Sequence, residues 1–324
     1  MTFPLIAALV GVLACLLVGR NAGGVVRRMR PAQAVVLLAI VSLVVSLASG
    51  IALTAIAVAE IASLTTVASE EHWSAAIVRA ELPIPGWIGA LAAFAVVVLL
   101  ARGAVRTMRL VVALVRADRL CRVIRADGGP VVVVDDDSAD AYTVAGIRGC
   151  VVISQRLLTQ LSADERRVLT AHELSHLNNR HHLYVHLADI AAAGNPLLKP
   201  VSAAVRLGVE RWADEDAAIG MGDRRITGRA LARVALLRSA LAKAAVVPVP
   251  SIRVPAVAVP ALGVAALQVA SRVQALLEPA PKSRTARVAA LLLLSLVVLL
   301  IGVASLNHIH DAIEGAAPFL RHRH

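Results

Sequence analysis

Aromatic residues are nearly missing from this chain: Phe, Trp and Tyr together make up 2% of 324 residues. A protein that binds single-stranded nucleic acid needs aromatic platforms interleaved with basic groups, and no such stretch exists. Lysine is almost as rare. Lys199, Lys243 and Lys282 are the only three, so arginine supplies nearly all of a net charge of +11. Cysteine occurs three times, at 15, 121 and 150, without a C-x-x-C pair. That excludes a disulfide framework and a cysteine-built metal site, and leaves His and carboxylate as the available ligands. Charged residues are only 17%, against 58% hydrophobic ones and a mean hydropathy of +0.74. This composition is too apolar for an ordinary soluble domain and predicts several membrane spans.

Four apolar runs fit that prediction. The first is 3–19; it has no basic segment before it and no good cleavage site, so it reads as a span and not a signal peptide. The others are 34–58, Trp87 to about Leu100, and Ala289–Leu306. Arg20, Arg27, Arg28 and Arg30 follow the first run with no acid among them, whereas loop 59–86 holds Glu60, Glu70, Glu71 and Glu81 against Arg79 alone. Basic loops stay in the cytoplasm. Loop 20–33 and segment 102–287 are therefore expected inside, and loop 59–86, the N-terminus and the tail 307–324 outside. Cys121 and Cys150 then lie in the reducing cytoplasm.

Within the long inner segment, 102–127 reads as an arginine-rich helix leaving the membrane. Val131–Val134, Ala141–Val144 and Cys150–Ser154 read as short strands, with a turn cluster at 135–140. Residues 187–209 are apolar but broken by Gly194-Asn195-Pro196 and Pro200, which suits a hairpin on or in the bilayer better than one span. A densely charged helix follows at 209–216, then a basic amphipathic helix at 226–246. Four prolines at 248, 250, 255 and 260 mark an irregular linker.

The chemistry concentrates at 161–183. Ser162 and Glu165 form a capping box that starts a helix. His172-Glu173-Leu174-Ser175-His176 on that helix is an H-E-x-x-H motif. Histidines four apart lie about 6 Å apart along the axis, so both rings reach one metal ion. Glu173 projects beside a metal-bound water and is expected to take its proton as catalytic base. A catalytic zinc needs a third protein ligand. Spacing favours Glu210, with Asp214 one turn on as hydrogen-bond partner of a ligand imidazole, but leaves Glu215 and Asp216 as rivals. His182 and His186, also four apart, lack a glutamate between them and read as surface or interfacial. His308, His310, His322 and His324 read as a polar tail.

His172-Glu173-x-x-His176, then Asn195-Pro196, then Glu210-x-x-Ala213-Asp214 resembles the BlaR/MecR-type antirepressor metallopeptidases and, more distantly, the HtpX and CAAX prenyl proteases. The resemblance covers roughly 131–216. It implies a polytopic α-helical membrane protein of about four transmembrane helices with a small α+β, gluzincin-like zinc peptidase domain. It also implies one Zn2+ per chain, held by His172, His176 and Glu210, with Asp214 behind them. Two departures stand out. Only 307–324 follow the last span, where the antibiotic sensors carry a penicillin-binding domain, so direct β-lactam sensing is not expected. And His181 stands where BlaR-type proteins usually have an acid, which is closer to the prenyl proteases.

The expected organisation is three spans in 1–106, a cytoplasmic zinc domain in 107–286, a fourth span in 287–306 and a short outer tail. The expected activity is a membrane zinc metalloendopeptidase that cuts a BlaI/MecI-like repressor. HtpX-like quality control of membrane proteins is the second reading, and a non-catalytic adaptor or transporter the third. Tyr142 and Thr143, on a strand before the zinc helix, are expected to hold substrate as an added β-strand. Expected partners are membrane lipid, the repressor and a second copy of the chain, with no direct contact to nucleic acid.

Overall fold

A computed structural model describes residues 2–125, 129–135, 140–146, 149–244, 262–281 and 283–317. The four prolines at 248–260 lie outside the described residues, as do part of the 135–140 turn and the tail histidines His322 and His324.

The fold is mostly helical and centres on α2 (Pro31–Ala62). This helix packs against α1 (Phe3–Arg28), α5 (Gly86–Ile124), α8 (His181–Gly194), α9 (Lys199–Met221) and α12 (Thr285–Gly315). Helices α1, α2, α5 and α12 are each long and apolar enough to cross a membrane. Their outward faces carry exposed large apolar side chains, such as Leu13 and Leu17 on α1, Leu91 and Phe94 on α5, and Leu293 and Leu300 on α12. The third apolar run and the arginine-rich helix expected over 102–127 form one continuous element. α5 is one helix of 39 residues, about 58 Å long, so its arginine-bearing half runs on well past a bilayer's ~30 Å apolar depth. The last helix likewise runs on from the expected Leu306 to Gly315.

Two short helices, α3 (Thr65–Glu70) and α4 (Ala75–Glu81), close the acidic end. Val78 and Leu82 pack there against Ile309 and Ala312 of α12, and Arg79 donates to the Ser63 carbonyl at 2.7 Å.

At the arginine-rich end sits a three-stranded sheet of β1 (Val131–Val134), β2 (Ala141–Val144) and β3 (Cys150–Ser154). The order is β1-β3-β2. β1 runs parallel to β3 and β2 antiparallel to it, with Thr143 opposite Val151. All five β3 residues are buried, as a central strand of Val and Ile requires. Among the described residues β2 is therefore a sheet edge. The sheet leads through α6 (Gln155–Thr159) to α7 (Ala163–Asn178), which carries H-E-x-x-H.

The broken segment forms a hairpin: α8, a 3-10 turn at Pro196–Leu198, then α9. Its apolar residues Ala188, Ala191, Leu198, Val201 and Val205 share one buried cluster with Val18, Val35 and Val41 of α1 and α2. Glycines permit this approach. A Cβ at Gly19 would lie 3.1 Å from the Leu197 carbonyl, and one at Gly208 only 2.7 Å from Val35. Asn195 at the hairpin tip accepts from Leu197 N at 3.1 Å and donates to Cys15 Sγ at 3.0 Å. Arg211 donates to the Val26 carbonyl, which ties α9 to the end of α1. Helices α10 (Arg224–Ala244) and α11 (Leu262–Leu277) pack on each other and on α9.

Candidate metal centre

The capping box that starts α7 is formed as the sequence predicts. Ser162 Oγ accepts from Glu165 N at 3.3 Å, and Glu165 Oε2 accepts from Ser162 N at 2.8 Å. One turn short of its C-terminus, α7 turns His172 and His176 toward the same point. Their Nε2 atoms are 3.2 Å apart. Glu210, delivered by α9, lies with Oε2 3.7 Å from His172 Nε2 and Oε1 3.6 Å from His176 Nε2. Two nitrogens on a tetrahedral zinc, each about 2.0–2.1 Å from it, lie about 3.3 Å from each other. The three residues therefore present a ligand set of the right type and spacing for one metal ion.

The rival acids on α9 are engaged elsewhere. Glu215 is ion-paired with Arg224. Asp216 Oδ2 accepts from Ser175 Oγ at 2.6 Å and from Asn179 Nδ2 at 2.8 Å, which pins α9 to the far flank of α7. Asp214, 2% exposed, points inward, with Oδ1 3.1 Å from His172 Nδ1. Ala213 and Ala217, both fully buried, leave α9 close enough to α7 for this division of one acidic cluster between two faces.

Arg272 of α11 completes the surroundings, and no sequence pattern pointed to it. Its Nε and Nη2 donate to the two oxygens of Asp214 at 2.7 and 2.6 Å, and its Nη1 is 2.8 Å from Glu210 Oε2. A planar guanidinium suits this two-carboxylate grip in a way an ammonium cannot. Burial opposes charge on Arg272, but Asp214 and Glu210 outweigh it and raise its pKa above the ordinary value. Burial also opposes charge on Glu210 and Asp214, and Arg272 holds both below the usual carboxylate range. Three carboxyl groups, of Glu173, Glu210 and Asp214, thus share one guanidinium, an excess of acid that suits a divalent cation.

The imidazoles differ in their settings. Burial works against a proton on His172, yet Asp214 and Glu210 raise its pKa to about 9. Burial pushes His176 down. His176 Nδ1 faces His181 Nδ1 at 2.9 Å.

Glu173 is buried beside the ligands. Thr143 Oγ1 lies 2.9 Å from both its backbone carbonyl and its Oε2, so the edge strand touches the glutamate directly. The neighbouring side chain takes the opposite course, as strand alternation requires. Tyr142 joins Leu120, Ala117 and Cys121 on the α5 side of the sheet. Thr143 is thus brought to the centre, and the Tyr142 side chain is not. His182 and His186 face each other on α8 with ring centroids 6.4 Å apart, away from this ligand set.

Residues 115–293, more than half of the chain and every residue of this centre, match the model of peptidase family M48. The chain belongs to peptidase family M48. No curated protein and no solved structure matches it. M48 is a metallopeptidase family whose general property is dependence on zinc, and the His172, His176 and Glu210 cluster of this M48 domain fits such an ion.

Proposed function

We propose that the chain is an integral membrane zinc metalloendopeptidase whose centre lies on the cytoplasmic side. The observation that carries this reading is the convergence of His172 Nε2, His176 Nε2 and Glu210 beside a buried Glu173. In it, His172, His176 and Glu210 hold one Zn2+, and Asp214 orients His172. When bound, the ion supplies Lewis acidity and an acidified water. Glu173, buried beside the ligands, would take a proton from the attacking water and deliver it to the departing amine nitrogen. Thr143 donates to Glu173 Oε2 and so leaves the other carboxylate oxygen turned toward the proton it must accept. The outer edge of β2 holds the peptide extended through main-chain hydrogen bonds.

The membrane part rests on four apolar helices with apolar outward faces. Orientation rests on the segregation of charge. Arg27, Arg28 and the arginines of α5 lie toward the metal centre, to which Arg211 and the Val26 carbonyl join α1. Glu70, Glu71 and Glu81 lie on the loop at the far end. The positive-inside rule then puts the centre in the cytoplasm.

The finer reading follows the BlaR/MecR resemblance: the substrate is a soluble, dimeric, BlaI/MecI-like repressor. Cutting between its DNA-binding and dimerisation parts separates two half-site readers and lowers operator affinity. Following such a repressor by immunoblot during envelope stress, in wild-type and Glu173→Ala strains, tests it. Cleavage in the wild type alone is expected. A repressor intact and operator-bound in both strains moves the reading to quality control of membrane proteins.

A further inference from the structure

We propose that His181 is a positioning residue that fixes His176 for metal binding by accepting a hydrogen bond from its Nδ1–H. The inference rests on the metal reading given above and concerns how the site is held.

A neutral imidazole has one N–H and one lone pair. His176 Nε2 faces the ligand point, 3.2 Å from His172 Nε2 and 3.6 Å from Glu210 Oε1. If that nitrogen gives its lone pair to a metal, the proton must sit on Nδ1. An N–H there needs an acceptor, and such partners normally set the tautomer and ring angle of a metal-bound histidine. The atom in place is His181 Nδ1, at 2.9 Å. His181 therefore offers a lone pair at Nδ1 and carries its own proton on Nε2, a buried atom without a protein partner among the described residues.

Local structure explains why this ring is available. α7 ends at Asn178, and Arg180 takes a left-handed conformation with φ 50°. That tight turn starts α8 at His181 directly beneath His176. The His181 ring is 1% exposed and wedged between His176, at a centroid distance of 4.9 Å, and Trp212 of α9, at 4.6 Å. Trp212 lies two residues beyond Glu210, so the helix that brings the third ligand also braces the ring behind the second.

Two substitutions separate the acceptor from the packing. His181→Phe keeps a ring against Trp212 but has no acceptor. His181→Asn loses the ring but places a side-chain oxygen where Nδ1 stands. Zinc affinity of the full chain in detergent is read by competition with a chromophoric chelator, and the melting temperature of the chelator-stripped chains reports folding. Loss of such a partner typically weakens metal binding by about 10- to 100-fold. That loss is expected for His181→Phe, and a much smaller one for His181→Asn. Wild-type affinity in His181→Phe, or equal losses in both variants, overturns the proposal. A wild-type chain that takes up no zinc overturns the metal reading and this inference with it. If His181→Phe does not fold, the nitrogen shifts of His181 in the zinc-loaded wild type decide. A proton on Nε2 supports the proposal, and a proton on Nδ1 overturns it.

Discussion

Arg272 grips both oxygens of Asp214, with Nε–Oδ2 at 2.7 Å and Nη2–Oδ1 at 2.6 Å, and reaches Glu210 Oε2 with its third nitrogen at 2.8 Å. A group 58 residues downstream of Asp214 thus sets the attitude of the carboxylates that surround the metal centre. Arg272→Met keeps the aliphatic stem and removes the fork. We expect it to lower zinc affinity by about 10- to 100-fold, as for other outer partners of ligands. Arg224 is the control: it anchors the C-terminus of the same helix through the Leu276 and Ala275 carbonyls without touching Glu210 or Asp214. Arg224→Met should leave zinc affinity close to wild type. Equal losses in both would mean that docking of α11, not the guanidinium, is what matters.

Thr143 and Glu173 make a second test. Thr143→Val is nearly isosteric and removes the hydroxyl that contacts Glu173 Oε2 at 2.9 Å. A lost hydrogen bond to a charged group is worth about 1.5–3 kcal/mol, roughly 10- to 100-fold in rate. We expect kcat on a fluorogenic peptide to fall within that range, zinc content to stay at one per chain, and Thr143→Ser to recover most of the rate. An unchanged kcat in Thr143→Val would remove the hydroxyl from the mechanism.

Substrate addition at the β2 edge predicts a periodicity. Successive strand residues point their amides in opposite directions. A set of peptide substrates, each N-methylated at one backbone amide, should lose cleavage at alternate positions on one side of the scissile bond. A smooth dependence on position would place the peptide elsewhere.

Topology is checked by reporter fusions. Fusions near Arg225 should read cytoplasmic and fusions near Ser69 extracytoplasmic. The reverse pattern would exclude a cytoplasmic substrate.

Much of the centre is legible in the sequence because it is local. Ser162, Glu165, His172, Glu173 and His176 lie within one helix, whose period fixes their relative placement. The short strands are legible from valine runs bounded by glycine. Glu210 is legible only in part. Four acids share 210–216, and what separates them is the face that α9 turns to α7, decided by Gly208, Ala213 and Ala217 packing against other helices. Arg272 has no local signal at all, being one of many arginines in a basic chain, and its role exists only once α11 docks. His181 carries no signal of its role, because the four-residue spacing singles out His182 and His186 instead. Only the left-handed Arg180 shows that the ring turns back to His176. Both halves of α5 are legible as helix, because arginines end an apolar run in composition but do not end a helix.

The most direct test of a zinc-dependent peptidase centre is metal content and peptide hydrolysis measured together on purified chains. The wild type is expected to hold about one zinc per chain and to hydrolyse peptide, with both lost in His172→Ala, His176→Ala and Glu210→Ala. Glu173→Ala is expected to keep its zinc and lose hydrolysis, because that carboxylate acts on the water and not on the metal. Full zinc occupancy in Glu210→Ala, or wild-type hydrolysis in Glu173→Ala, would contradict a zinc-peptidase centre.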